Sequence, residues 1–151
     1  MSRSQNQSVR SMLTSGSGPD RAFFLLRTVF VIAPIAFGLD KFTEILIDDW
    51  SVYLAPWVND IVPGSGHQAM LAVGVIEIVA GVVVAISPRF GSLLVAGWLA
   101  GIILNLVTMG EFYDVALRDF GLLVATLSLA ALAWDRPTST SVRSSAGHAA
   151  A

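Results

Sequence analysis

Four stretches of this chain stay apolar for the length of a bilayer crossing: about residues 22–39, 69–87, 90–107 and 115–134. A hydrocarbon core of about 30 Å takes about 20 helical residues at about 1.5 Å each, so each stretch predicts a membrane-spanning α-helix. Barrel strands would be half as long and strictly alternating, which is not the pattern here. Only Pro88 and Arg89 separate the second stretch from the third, and only residues 108–114 separate the third from the fourth. Neighbouring spans therefore run antiparallel, as hairpins that turn at opposite surfaces. The predicted fold is all-α: a polytopic, four-transmembrane-helix bundle.

Between the first two spans, residues 42–66 follow a different rule. Leu46, Trp50, Tyr53, Leu54, Trp57, Val58 and Ile61 recur at helical spacing against Glu44, Asp48, Asp49 and Asp60. This predicts an interfacial amphipathic segment, broken at Pro56. Trp50, Tyr53 and Trp57, with Phe112 and Tyr113 from the other connection on that surface, form an expected aromatic belt. Residues 1–20 and 136–151 are rich in Ser, Gly, Thr, Arg and Ala, and are expected to be disordered tails flanking a membrane domain over 21–135.

Composition agrees with this reading and excludes others. Of the 151 residues, 54% are apolar and 13% charged, and the mean hydropathy is +0.70. A net charge of −2 argues against a nucleic-acid partner, and the lack of cysteine excludes a disulfide scaffold. The basic residues set the expected orientation, because Lys and Arg stay on the cytoplasmic side. With both termini inside, Arg3, Arg10, Arg21, Arg27, Arg89, Arg136 and Arg143 fall on that side, and only Lys41 and Arg118 fall toward the outside. The first 20 residues are polar and the first apolar run is long, which predicts a retained anchor rather than a cleaved signal peptide.

Ionisable groups within the spans carry the candidate chemistry, since each costs at least about 2.5 kcal/mol to insert. Glu77 is expected about 12 Å deep, near the bilayer middle. Gly74 and Gly81 share its helical face and invite a neighbouring backbone, so Glu77 is expected to face the bundle interior. In the first span, Arg27, Pro34, Gly38 and Lys41 fall on one stripe; in the third, Gly97, Gly101 and Asn105 do so; the fourth opens with Arg118 and Asp119. The expected polar pocket comprises Arg27, Glu77, Asn105, Arg118 and Asp119, with Arg118 and Asn105 meeting Glu77 in the outer half and Arg27 reaching it from the inner side. Asp40 and Lys41 are expected to be helix-end charges at the water boundary, and Trp98 and Trp134 ordinary lipid or interface contacts. The alternative for the whole set is buried pairing that only fixes helix register.

The chain has no cysteine for thiol exchange or iron–sulfur ligation, no histidine in a span for haem, and no zinc motif, phosphate loop or serine elbow. No metal site and no covalently bound cofactor is expected. Redox chemistry here would draw on a partner protein or a diffusible quinone.

Arg27, the Gly38-Leu39-Asp40-Lys41-Phe42 exit, the Asp49-Trp50 and Tyr53-Leu54-Ala55-Pro56-Trp57 runs, Gly74-Val75-Ile76-Glu77 and Arg118-Asp119 together resemble the DoxX-like four-helix membrane proteins over about residues 22–134. The resemblance implies a bacterial inner-membrane protein associated with redox complexes, among whose relatives are the membrane subunit of a thiosulfate:quinone oxidoreductase and a partner of superoxide dismutase and a thiosulfate sulfurtransferase. Arg27, Lys41, Glu77, Arg118 and Asp119 are the positions it assigns to a polar core. The expected function is a membrane subunit of a redox or stress-associated complex near the quinone pool, without independent catalytic activity. Its partners would be the lipid bilayer, an oxidoreductase or other membrane protein, and further copies of the chain. The alternatives are a small proton-coupled transporter and a non-catalytic scaffold.

Overall fold

A computed structural model describes residues 17–61 and 64–136. The first helix, α1 (Gly18–Thr43), starts earlier than hydropathy places it. Ser17 caps it by accepting the Asp20 amide at 3.4 Å, and a proline occupies the first turn, where its missing N–H costs nothing. Capping thus draws polar residues 18–20 into the helix; the rest of the expected N-terminal tail, and residues 137–151, lie outside the described residues. A 3-10 turn (Trp50–Tyr53) and a short helix, α2 (Pro56–Ile61), make up the interfacial segment, with Pro56 opening the helix rather than interrupting one. Then come α3 (Gly66–Ile86), α4 (Pro88–Met109) and α5 (Tyr113–Trp134). No strand occurs among the described residues.

The turns have local causes. Ser65 and Gln68 form a reciprocal capping box at the start of α3, and Pro88 sits in the first turn of α4 immediately after α3 ends. Gly110 closes α4 in the left-handed region, at φ 79°, which a side chain would strain.

α1 packs along α3 and α4 along α5; α3 joins the two pairs, while α1 meets α5 along a shorter seam. The α1–α3 contact depends on glycine. A Cβ on Gly74 would stand 2.7 Å from the Gly38 carbonyl oxygen, and one on Gly81 would stand 2.9 Å from that of Val31. The Gly97 and Gly101 stripe of α4 behaves differently: added Cβ atoms would meet nothing within 4 Å, so these small residues serve no close contact among the described residues.

Phe23, Phe30, Ala80, Val84, Val95, Leu99, Leu129 and Ala133 form an apolar core in the half of the bundle that holds the ends of the described chain. There Arg89 donates to the Ala133 carbonyl at 2.9 Å, and Arg136 pairs with Asp20 at 2.5 Å while lying over the Phe23 ring. Outward, Leu25, Ile32, Leu39, Ile86, Phe90 and Leu117 are among many large apolar side chains left exposed. Water would not tolerate so continuous an apolar exterior, whereas lipid requires it. The molecule is a multi-pass membrane protein built as an all-α, four-helix bundle.

Candidate functional site

One turn beyond Ala80, the apolar core gives way to charge. Lys41 of α1 and Glu77 of α3 form an ion pair with Nζ 2.7 Å from Oε2, at side-chain exposures of 4% and 11%. Their backbones are not level. Gly38 faces Gly74 across the antiparallel helices, so Lys41 lies three residues toward one surface and Glu77 three toward the other, an offset of about 9 Å. Helical side chains lean toward their own N-terminus, which on antiparallel helices brings these two toward each other. The glycine contact leaves the space in which they meet.

Trp50 covers the pair. Its ring lies 3.8 Å from Lys41 Nζ, a cation–π contact, and its Nε1 donates to Asp40 Oδ2 at 3.0 Å. Asp40 Oδ1 also accepts the amides of Ile45 at 3.1 Å and Leu46 at 2.8 Å, so one carboxylate both turns the chain after α1 and fastens the cover. Asp40 and Lys41, expected as anchors at the water boundary, are instead buried at 4% exposure each. The reason is the interfacial segment, which folds back over the end of α1. An aromatic row runs from Trp50 through Tyr53 to Phe112, with ring centroids 6.1 and 4.8 Å apart. Outside the spans, the Ser51 hydroxyl and amide both donate to Asp49, at 2.6 and 2.8 Å, and hold its carboxyl below the ordinary 3.8.

The indole N–H of Trp98 on α4 is directed at Glu77, whereas Asp119 of α5 acts on it only at longer electrostatic range, with no hydrogen bond between them. Trp98 Nε1 is buried, and the acceptor it is directed at, the Glu77 carboxylate, stands just outside full hydrogen-bond geometry. Trp98 therefore belongs to the polar interior rather than to an ordinary lipid contact.

The remaining expected members lie elsewhere. Arg27 donates to the Ala85 carbonyl, eight residues or about 12 Å along α3 from Glu77, and does not reach it. Asn105 spends its amide on the interfacial segment, donating to the Tyr53 carbonyl at 2.6 Å and accepting the Ala55 amide at 2.9 Å. Arg118 is exposed, with the adjacent Asp119 as its electrostatic partner. Of the expected pocket, the structure keeps Glu77 at the centre and leaves Asp119 at longer range; Lys41, which the resemblance assigns to a polar core, pairs with Glu77, and Trp50, Asp40 and Trp98 are added. The clue to Lys41 lay in its place one turn from Gly38, the glycine that meets Gly74.

Among the described residues, no group of three or more histidine, aspartate or glutamate side chains is arranged to hold a metal ion. Fold and site thus define a small multi-pass membrane protein with a covered internal ion pair. No protein-family profile, curated protein or solved structure matches the chain.

Proposed function

We propose that this chain is an integral membrane subunit of a redox- or stress-associated assembly, a DoxX-like protein whose Lys41–Glu77 site lies near the quinone pool. The observation that carries this reading is the buried Lys41–Glu77 pair, with the Trp98 N–H only loosely held by the same carboxylate. A quinone headgroup offers two carbonyl acceptors, and the Lys41 ammonium and the Trp98 indole are donors of the matching kind. A buried ion pair is often no more stabilising than apolar residues of the same volume, so its presence at lipid depth favours a role beyond folding. Electrons would come from an oxidoreductase partner, since the chain has no thiol, and the one histidine among the described residues, His67, sits exposed in the first turn of α3 beside Glu44 rather than at membrane depth. Seven of nine basic residues favour a bacterial inner-membrane orientation with both termini cytoplasmic, which puts the covered pair in the outer half.

In detergent, a short-chain quinone analogue is expected to raise the melting temperature of the intact protein, and Trp98→Phe to remove that rise while the variant stays folded. Absence of the rise, together with absence of any oxidoreductase on purification from native membranes, overturns the proposal. A scaffold role would instead make Glu77→Gln lower stability and function in parallel.

A second reading, a proton-coupled carrier, is favoured by Asp119, a second partly buried carboxylate on a different helix within electrostatic range of Glu77. It requires that Glu77→Gln abolish proton flux in proteoliposomes that the unsubstituted protein supports.

A further inference from the structure

Arg27 lies at the opposite end of the bundle from the ion pair. Its guanidinium has five N–H donors, and the described contacts account for one acceptor, the Ala85 carbonyl near the end of α3. No carboxylate pairs with it among the described residues. The level is informative: Ala85 is one residue from the end of α3, just before the Ser87–Pro88 turn, so the guanidinium stands where acyl chain gives way to headgroup. Beside it, Phe24, Thr28, Val31 and Ile32 of α1 and Ala85 of α3 line an open groove of about 360 Å³. Phe24 and Ile32 are exposed, so the groove opens outward, where an acyl chain lies. The Thr28 hydroxyl donates to the Phe24 carbonyl at 2.8 Å, which leaves its oxygen lone pairs but no proton for a ligand. Arg21 is exposed on the same stripe as Phe24 and Thr28, about 9 Å farther toward water than Arg27.

We propose that this α1–α3 groove holds one anionic phospholipid, its phosphate on Arg27, its acyl chain running inward along Val31 and Ile32, and Phe24 on the headgroup side. Charge complementarity selects the occupant. A half-buried guanidinium without a carboxylate beside an apolar channel matches a phosphate joined to a hydrocarbon chain. A zwitterionic lipid brings its own cation to the headgroup and gains less from Arg27. The site is separate from the Lys41–Glu77 pair and stands or falls independently of the function proposed there.

Native mass spectrometry of the full chain in detergent, with phosphatidylglycerol and phosphatidylcholine of identical acyl chains, tests the assignment. The unsubstituted protein is expected to retain phosphatidylglycerol about fivefold more, the factor one interfacial cation contributes. Arg27→Gln should abolish the preference, Arg27→Lys should keep part of it, and Ile32→Trp, which fills the groove without changing charge, should lower retention of both lipids. Arg21→Gln should have the smaller effect, and millimolar inorganic phosphate should leave bound lipid in place. Equal retention of the two lipids overturns the proposal. So does an Arg21→Gln effect as large as that of Arg27→Gln, which would mean diffuse attraction only, and so does displacement by phosphate, which would mean an anion site without a lipid. Arg27→Lys and Ile32→Trp provide the readout if Arg27→Gln does not fold.

Discussion

Lys41 Nζ and Glu77 Oε2 stand 2.7 Å apart across the α1–α3 contact, although their backbones are offset by about 9 Å along the helix axes. The lean of side chains toward helix N-termini closes that gap, and only an antiparallel pair touching through Gly38 and Gly74 lets it do so. Because both charges are buried, removing one leaves the other uncompensated. Lys41→Met or Glu77→Met alone is expected to destabilise the bundle by about 3–5 kcal/mol, and the double substitution by much less. A double-mutant cycle by denaturant titration in micelles reads the coupling, and additive losses would contradict the pairing.

The glycines separate into two kinds. Gly74→Ala places a methyl against the Gly38 backbone and is expected to cost about 1–3 kcal/mol. Gly97→Ala meets open space and should leave stability unchanged or slightly raised in detergent-solubilised monomer. Thermal melts of the two variants side by side check the contrast.

Asp40 is the only described acceptor for the Ile45 and Leu46 amides besides its role on Trp50. Asp40→Ala should cost about 1–3 kcal/mol locally. Hydrogen exchange at Ile45 and Leu46 should then quicken about tenfold or more, while exchange within α4 and α5 stays as it was. Unchanged exchange at both amides would show that the carboxylate does not fasten the segment.

The Asp49 carboxylate is stabilised in the folded segment by Ser51, so its folded pKa is below the unfolded value of about 3.8. Its contribution is present above that value and is lost as pH falls through the lowered folded pKa. Fluorescence of a variant keeping only Trp50 among the tryptophans should hold steady on acidification to about pH 4 and change below it, and Asp49→Asn should flatten that change.

The cysteine-free chain suits topology mapping. Asp60→Cys and Ser144→Cys are expected to label from opposite faces of the membrane with an impermeant thiol reagent, in keeping with four crossings. Labelling of both from one face would contradict the span count.

The spans, their hairpin order and the inward face of Glu77 are legible in the sequence because hydropathy, helix length and the Gly74/Gly81 flanks are local properties, set within one or two turns. Helix starts were less legible: Ser17 and Pro19 lengthen α1 beyond its apolar run, because capping satisfies backbone groups whatever the hydropathy. Pairing was the least legible. By sequence position, Arg27, Asn105 and Arg118 all fall at depths compatible with reaching Glu77, yet each finds a nearer partner in Ala85, the Tyr53–Ala55 backbone or Asp119. The choice among partners depends on which helices touch, how closely glycine lets them approach, and where the interfacial segment folds. Sequence by itself therefore determined a four-helix membrane protein with a costly carboxylate in its interior. The tertiary structure alone decided that Lys41 answers that charge and Trp50 covers it, because an ion pair at lipid depth is specified by three-dimensional reach rather than by position along the chain.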